Sequence, residues 1–427
     1  MAESDLNPGE TSGKGANAST SENEGEETLR ILTFASLFPN KIDPTYGIFI
    51  LQRTKHLAKR PGNEVIVVSP IPFFPRWIKT KRWRKASELP VQESVEGLTV
   101  HHPRYFLLPK IGMSFHGISI FLSCVGLLRR VNRDKRIDCI DAHFVYPDGF
   151  AAVLLGKTLD IPVTVSARGT DINVYPSYSS IRPMIRWTLR EADQVVAVSG
   201  ALKEAMVALG RKRDSIRLIP NGIDIGRFRY VERDQARKVL EMPANIPILV
   251  SVGALVPAKR HELLIESVAK LQVQHPNLKL FILGEGSSRS YLERRARELG
   301  VSERVQMPGK IPNEALRQWF AAADVSCLAS AREGWPNVVT ESLACGTPVV
   351  ATSVGGVPEI LHTPELGILV DGTSESVAQG IHQALGKDWN RREIADRTAL
   401  RTWDTVGAEV DAILQESSQK QNQEKRK

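Results

Sequence analysis

Short apolar runs rich in Val and Ile alternate along the chain with stretches of helical period. The first set is I-L-T-F-A at 31–35, V-I-V-V at 65–68, I-D-C-I-D-A at 137–142, V-T-V-S-A at 163–167 and V-V-A-V-S at 195–199. Near-continuous apolar strands with helices between them predict parallel strands covered on both faces, a doubly wound α/β domain. The pattern then repeats, with strands at 248–252, 278–283, 325–328, 348–351 and 367–370. Pro220-Asn221-Gly222 has turn chemistry and predicts the junction, so the first domain spans 29–222 and the second 223–395. Ligands collect at the carboxyl ends of strands in such sheets, and two facing sheets imply a cleft between them. Trp403, Val406, Val410, Ile413 and Leu414 recur at helical spacing and predict a helix over 396–416; the polar tail 417–427 is expected to be unstructured.

Composition adjusts this picture. A chain of 427 residues, 42% of them hydrophobic, exceeds what one core supports and permits two. The longest apolar run, Gly117 to Leu128, is too short to span a bilayer. Met1 to Thr28 is rich in Gly, Ser, Asn and Glu, lacks the apolar core of a signal peptide and reads as disordered. Cys124, Cys139, Cys327 and Cys345 show no zinc or disulfide spacing, which fits a reducing cytoplasm. Residues 1–28 hold seven acids against one Lys, so a net charge of +8 for the whole leaves a surplus of +14 for the rest. Six of those cations lie with two Trp and no acid in P-R-W-I-K-T-K-R-W-R-K at 75–85, a mixture suited to an anionic membrane surface at the inner face of the plasma membrane. A solvated loop is the plain alternative. No nucleic-acid-binding module accompanies the run, so nucleic acid is not an expected partner.

The chemistry concentrates in Ala329 to Glu359, A-S-A-R-E-G-W-P-N-V-V-T-E-S-L-A-C-G-T-P-V-V-A-T-S-V-G-G-V-P-E. Glu333 and Gly334 fall in a loop, Pro336 suits a first helical turn, and Gly346 with Pro348 ends the helix. Free amides from Gly334 to Val338, Pro336 apart, and the positive end of the helix dipole would attract a diphosphate. Glu333 at the mouth can accept hydrogen bonds from sugar hydroxyls, and Glu341, two turns in, can reach a ribose. A pair of glutamates on a solvated helix face is the simpler reading of the spacing alone.

The segment E-G-W-P-N-V-V-T-E-S-L-A-C-G-T-P-V-V-A-T resembles the E-x7-E signature of the family 4 retaining glycosyltransferases, which have the GT-B fold of two facing Rossmann-like domains. I-P-N-G-I-D at 219–224, V-G-A-L-V-P-A-K at 252–259, L-G-E-G at 283–286 and G-I-L-V-D-G at 367–372 follow in the order that family shows, so the resemblance spans roughly residues 29–400. It implies a nucleotide-diphosphate sugar as donor, a diphosphate balanced by Lys259, and a terminal helix that crosses back to the first domain. His143, in D-A-H-F-V-Y-P-D-G, takes the place of the family's active-site histidine near the transferred sugar, and Gly47 that of a loop glycine beside the donor phosphates. Gly284 and Gly286 would let backbone approach the nucleoside. Gly334, Trp335, Asn337 and Val338, with Asn221, complete the candidate donor contacts. Arg168 could meet phosphate and Asp171 orient an acceptor hydroxyl; an Arg–Asp structural pair is the alternative. The family's usual Arg is replaced by Ala254 and its usual Gly by Arg260.

These residues are expected to make the chain a retaining hexosyltransferase with a UDP or GDP sugar as donor and a saccharide or lipid-linked acceptor. No metal or other cofactor is expected. The S-L-F-P-x8-G-I-F and A-R-G-T-D-I segments resemble members that build bacterial exopolysaccharide or teichuronic-acid type polymers. A nucleotide-sugar 2-epimerase shares the two-domain layout without needing this form of E-x7-E, and a non-catalytic scaffold has only Ala254 to suggest it.

Overall fold

The computed structural model describes residues 28–73, 88–107 and 112–426. The expected disordered segment, Thr28 apart, and the basic run 75–85 lie outside the described residues. The first half contains β1 (Leu29–Phe34), β2 (Asn63–Val68), β3 (Ile71–Phe73), β4 (Gln92–Val95), β5 (Leu98–His101), β6 (Arg104–Phe106), β7 (Cys139–His143), β8 (Val163–Ala167), β9 (Gln194–Ala197) and β10 (Ile216–Leu218). Eight of these form one sheet in the order β10-β9-β8-β7-β1-β2-β5-β4, parallel except for the β4–β5 hairpin, and β3 pairs with β6 beside it. Strands β7 and β8 are buried at every position, which their near-continuous apolar sequences allow because helices cover both faces.

The second half repeats the plan with β11 (Ile248–Val252), β12 (Lys279–Leu283), β13 (Val305–Gly309), β14 (Val325–Leu328), β15 (Val349–Thr352) and β16 (Gly367–Val370), all parallel, in the order β13-β12-β11-β14-β15-β16. This is the expected GT-B architecture. The chain passes between the halves twice, and the two crossings touch: Ile223 bridges Thr402, and the Ile223 N–H donates to the Arg401 carbonyl at 3.0 Å.

Three features depart from the sequence reading. The tail is not unstructured, since one helix runs from Trp403 to Arg426. Ser417 and Ser418 are buried, and Gln421 and Lys425 bond Asp160 at the end of a first-half helix, so the polar tail is held by polar contacts rather than by apolar burial. Strands β3 to β6, β10 and β13 were not anticipated; β13 contains Pro308, which an edge strand tolerates because its outer side needs no ladder donor. Finally, Pro336 stands at the cap of the helix Asn337–Ala344 instead of inside it, so Glu341 lies about one turn in rather than two.

Candidate active site

On the second-half side, the short turn Pro257–Lys259 follows β11 and the loop 329–336 follows β14. The loops are tied by the Ala331 N–H donating to the Ala258 carbonyl at 2.9 Å. Across them Lys259 Nζ donates to Glu333 Oε1 at 2.6 Å, with a quarter of the lysine side chain still exposed. The helix that starts at Asn337 directs its free amides and positive dipole end at the same place. Behind the lysine, His261 is 2% exposed, and burial with the Lys259 charge holds its pKa down to about 4, so it is neutral there. Arg260 adopts φ 50°, the left-handed region, which accounts for the family's usual glycine at this position. Deeper in, burial pushes the Glu341 carboxyl up to about 7, against the pull of Arg227 and with Asp224 nearby. Glu341, Asn337, Phe49, Gln52 and Arg227 line a cavity of about 30 Å³ between the halves.

On the first-half side the polar groups are buried and mutually bonded. Arg53 donates from Nη2 to Asp141 Oδ1 at 2.8 Å and from Nη1 to Ser166 Oγ at 2.9 Å, both side chains being essentially without exposure. Burial raises the Asp141 pKa, yet the charges of Arg53, His143 and Arg168 hold it down to about 2. His143, at the end of β7, is fully buried; its Nε2 is 3.3 Å from Asp141 Oδ2, and its Nδ1 accepts from Arg168 Nε at 3.2 Å. An Nδ1 that accepts from a guanidinium leaves the ring proton on Nε2, facing Asp141. Burial, with the Arg168 charge opposing that of Asp141, lowers the His143 pKa to about 3. Arg168 passes the chain on through Nη1 to Asn221 Oδ1 at 3.1 Å, and Asn221 Nδ2 donates to Asn337 Oδ1 at 3.0 Å. A continuous polar chain therefore links β7 to the start of the second-half helix.

The halves meet closely here. A Cβ on Gly334 would stand 2.1 Å from the Arg168 carbonyl oxygen, so only glycine lets the two backbones approach. Trp335 packs against the cores of both halves. Asn173 Nδ2 donates to the Glu333 carbonyl at 3.2 Å, and the Glu359 carboxylate accepts from the Gly200 N–H at 2.8 and 2.9 Å, capping a first-half helix.

Lys259, Glu333, Gly334, Trp335, Asn337, Glu341, Asn221, Arg168 and His143 are thus brought to one seam. Arg168 takes up Nδ1 of His143, which thereby helps to position Arg168, while the buried Nε2 lies 3.3 Å from Asp141 Oδ2 without a hydrogen bond. One expected role changes. Asp171 is fully buried and accepts from the Val145, Gly169 and Arg168 amides at 2.7, 2.8 and 3.1 Å, so it braces the loop after β8 and has no oxygen to offer an acceptor. Gly284 and Gly286 owe their identity to the protein's own backbone: a Cβ on them would meet the Gly253 carbonyl oxygen at 1.9 Å and that of Leu255 at 2.3 Å. Gly47, at φ 72°, likewise fits against the Leu37 carbonyl, and Val338 packs into second-half cores. Arg53, Asp141, Asp148 and Glu359 were not anticipated. A carboxylate inside the apolar run I-D-C-I-D-A was the available signal, because a buried charge needs a partner. Among the described residues no cluster of three or more His, Cys, Asp or Glu could hold a metal.

Comparison with known proteins places this seam in a family. The Glycosyltransferase Family 4 domain matches residues 47–227 and the glycosyl transferases group 1 domain residues 232–401. TuaC of Bacillus subtilis, named as a glycosyltransferase of teichuronic acid biosynthesis, is 30% identical over 389 residues, 90% of this chain and 95% of its own. LpsE of Rhizobium meliloti, named for lipopolysaccharide core biosynthesis, is 36% identical over 49% of this chain and 58% of its own. Among solved structures, sucrose-phosphate synthase from Thermosynechococcus elongatus superposes with a TM-score of 0.73 at 20% identity, over 91% of this chain and 99% of its own. Anabaena Alr3699/HepE in complex with UDP gives 0.67 at 19% identity, over 91% and 100%. The chain that carries Lys259 and Glu333 across this seam is a family 4 glycosyltransferase of GT-B fold.

Proposed function

We propose that this glycosyltransferase moves a hexosyl unit from a nucleoside-diphosphate sugar to a hydroxyl of a saccharide or lipid-linked acceptor, with retention at the anomeric carbon, in the synthesis of a bacterial polysaccharide or cell-envelope glycan. The observation that carries the reading is the Lys259–Glu333 pair, 2.6 Å apart beside a helix start. A partly exposed ammonium and the helix amides supply the positive charge a departing diphosphate needs, the electrostatic part of catalysis. Glu333 then exchanges its lysine for sugar hydroxyls, while Arg168, fixed by His143 and Asn221, presents its remaining N–H groups to the cleft. A donor phosphate oxygen takes the acceptor proton, so no side chain acts as nucleophile or metal ligand. The names of TuaC and LpsE support envelope polysaccharide as the product class, and the UDP and UDP-glucose complexes of Alr3699/HepE support a nucleotide-sugar donor. Peripheral contact with an anionic membrane, on the inner face, rests on the composition of the 75–85 run; no described helix is long and apolar enough to cross a bilayer.

The thermal midpoint with UDP, GDP, ADP and CMP in turn tests the donor. Ligand at 100 times its dissociation constant adds about 2.7 kcal/mol, so UDP or GDP should raise the midpoint and the others should not. No rise with any nucleotide would move the non-catalytic reading forward. NMR of the product's anomeric proton tests retention, and an inverted anomer would refute it.

A further inference from the structure

The helix His116–Asp134 covers the first sheet with Ile120, Cys124 and Leu128, all fully buried. Its outer face is unusual. Phe115, just before the helix, and Ile118 and Leu122 are 66%, 42% and 64% exposed and fall at helical spacing on one side. Continuing along that side, Gly126 faces open space and Arg129 and Arg133 follow, with Arg130 beside them. None of these three arginines has an ion-pair partner among the described residues, although Asp134 at the helix end is also exposed. The apolar surface widens next to the helix. Ser119 Oγ donates to the Phe106 carbonyl at 2.6 Å, and the exposed Phe106 pairs in register with the exposed Phe73.

A stripe that is apolar at one end and cationic at the other, on a helix about 28 Å long by its rise per residue, has the chemistry of an interfacial helix. We infer that this face, Phe106, Phe115, Ile118 and Leu122 with Arg129, Arg130 and Arg133, is a docking surface for an anionic lipid bilayer. The inference rests on the membrane contact proposed above and gives it a place among the described residues. Charge complementarity selects the occupant: three arginines without an ion-pair partner on a basic chain suit anionic headgroups, Ile118 and Leu122 with Phe106 and Phe115 fit acyl chains, and the sequence shows no nucleic-acid-binding module to favour bases. Orientation makes the surface useful. The apolar end is tied to the cleft side of the sheet, since Tyr146 Oη donates to the Met113 carbonyl and Ser114 Oγ donates to Ser180 Oγ at 2.7 Å. Tyr146 lies three residues beyond His143. A bilayer on this face would therefore border the acceptor-side rim of the cleft, where a lipid-borne acceptor can enter headgroup first.

Co-sedimentation of the full chain with phosphatidylglycerol vesicles and with phosphatidylcholine vesicles tests this. Binding should be at least about 10-fold stronger to the anionic vesicles and weaken in high salt. Ile118→Asp with Leu122→Asp, and separately Arg129→Glu, Arg130→Glu and Arg133→Glu together, should each lower it about 10-fold or more at an unchanged thermal midpoint. Failure of the parent protein to bind overturns both this inference and the membrane reading. Helix variants that bind like the parent, while neutralising the 75–85 run abolishes binding, overturn the inference alone. A dimer that the Ile118/Leu122 variant converts to monomer would assign the face to a second copy and overturn it as well.

Discussion

The two walls of the cleft solve opposite problems. On the first-half wall Arg53, Asp141, His143, Arg168 and Asn221 are buried and bonded to one another, and pKa values of about 2 for Asp141 and about 3 for His143 keep the one charged and the other neutral near pH 7. On the second-half wall Lys259 and Glu333 are partly exposed, and their side chains bond each other across two loops. The buried set costs desolvation and yields geometry, since each member's orientation is dictated by the next. The exposed pair costs little and can change partners when an anion arrives. One wall is built to stay as it is, the other to exchange.

That contrast breaks most visibly if the buried set is cut. Arg53→Met would leave Asp141 as an uncompensated buried charge, and denaturant unfolding should show a loss of about 3–5 kcal/mol. Adding Asp141→Asn should restore much of it, and a loss under about 1 kcal/mol would mean the first wall is not held by charge. The mirror experiment is Lys259→Ala. Transfer rate should fall about 10²- to 10³-fold, as for removal of one electrostatic donor, with the thermal midpoint nearly unmoved. An equal fall in midpoint would erase the distinction between the walls.

A smaller effect sharpens it. Asp148 is fully buried, accepts from the Ser36 N–H and hydroxyl at 2.9 Å each, and has its other oxygen unpartnered. Burial raises its carboxyl from 3.8 to about 7, against those two hydrogen bonds. Because the folded value lies above the unfolded one, the penalty is absent below about pH 4, grows as pH rises and is complete above about pH 7. Asp148→Asn should therefore raise the midpoint by a few degrees at pH 8, the gain closing towards pH 4. A gain independent of pH would show that packing, not ionisation, is being relieved.

The parts of the molecule legible in the sequence are those where one residue type has one job. The apolar runs of β7, β8, β11 and β14 pointed to buried parallel strands, and the E-x7-E stretch with V-G-A-L-V-P-A-K pointed to the residues of the exposed wall, Glu333 and Lys259. The buried wall was harder. His143 and Asp171 have the residue types of active-site groups, and only the positions of Arg168 and the Val145 amide reveal that Nδ1 of the one and a carboxylate oxygen of the other are already taken. Arg53 lies 88 residues from the carboxylate it serves, a distance over which local pattern carries no information. Gly334 and Gly286 were legible as glycines of consequence, but not as glycines facing backbone. The helical tail was hidden because its contacts with Asp160 are polar.

The helix from Trp403 onward also bears on how the chain assembles. Trp403, Val406, Val410, Ile413 and Leu414 share a core with Ile31, Leu57, Cys139 and Val196, so one wall of the first core is encoded at the far end of the sequence. The half that emerges first from the ribosome is for that reason the half finished last. Its β1 and β7 must wait, one apolar flank uncovered, until the whole second half has been made and the chain has returned across the seam.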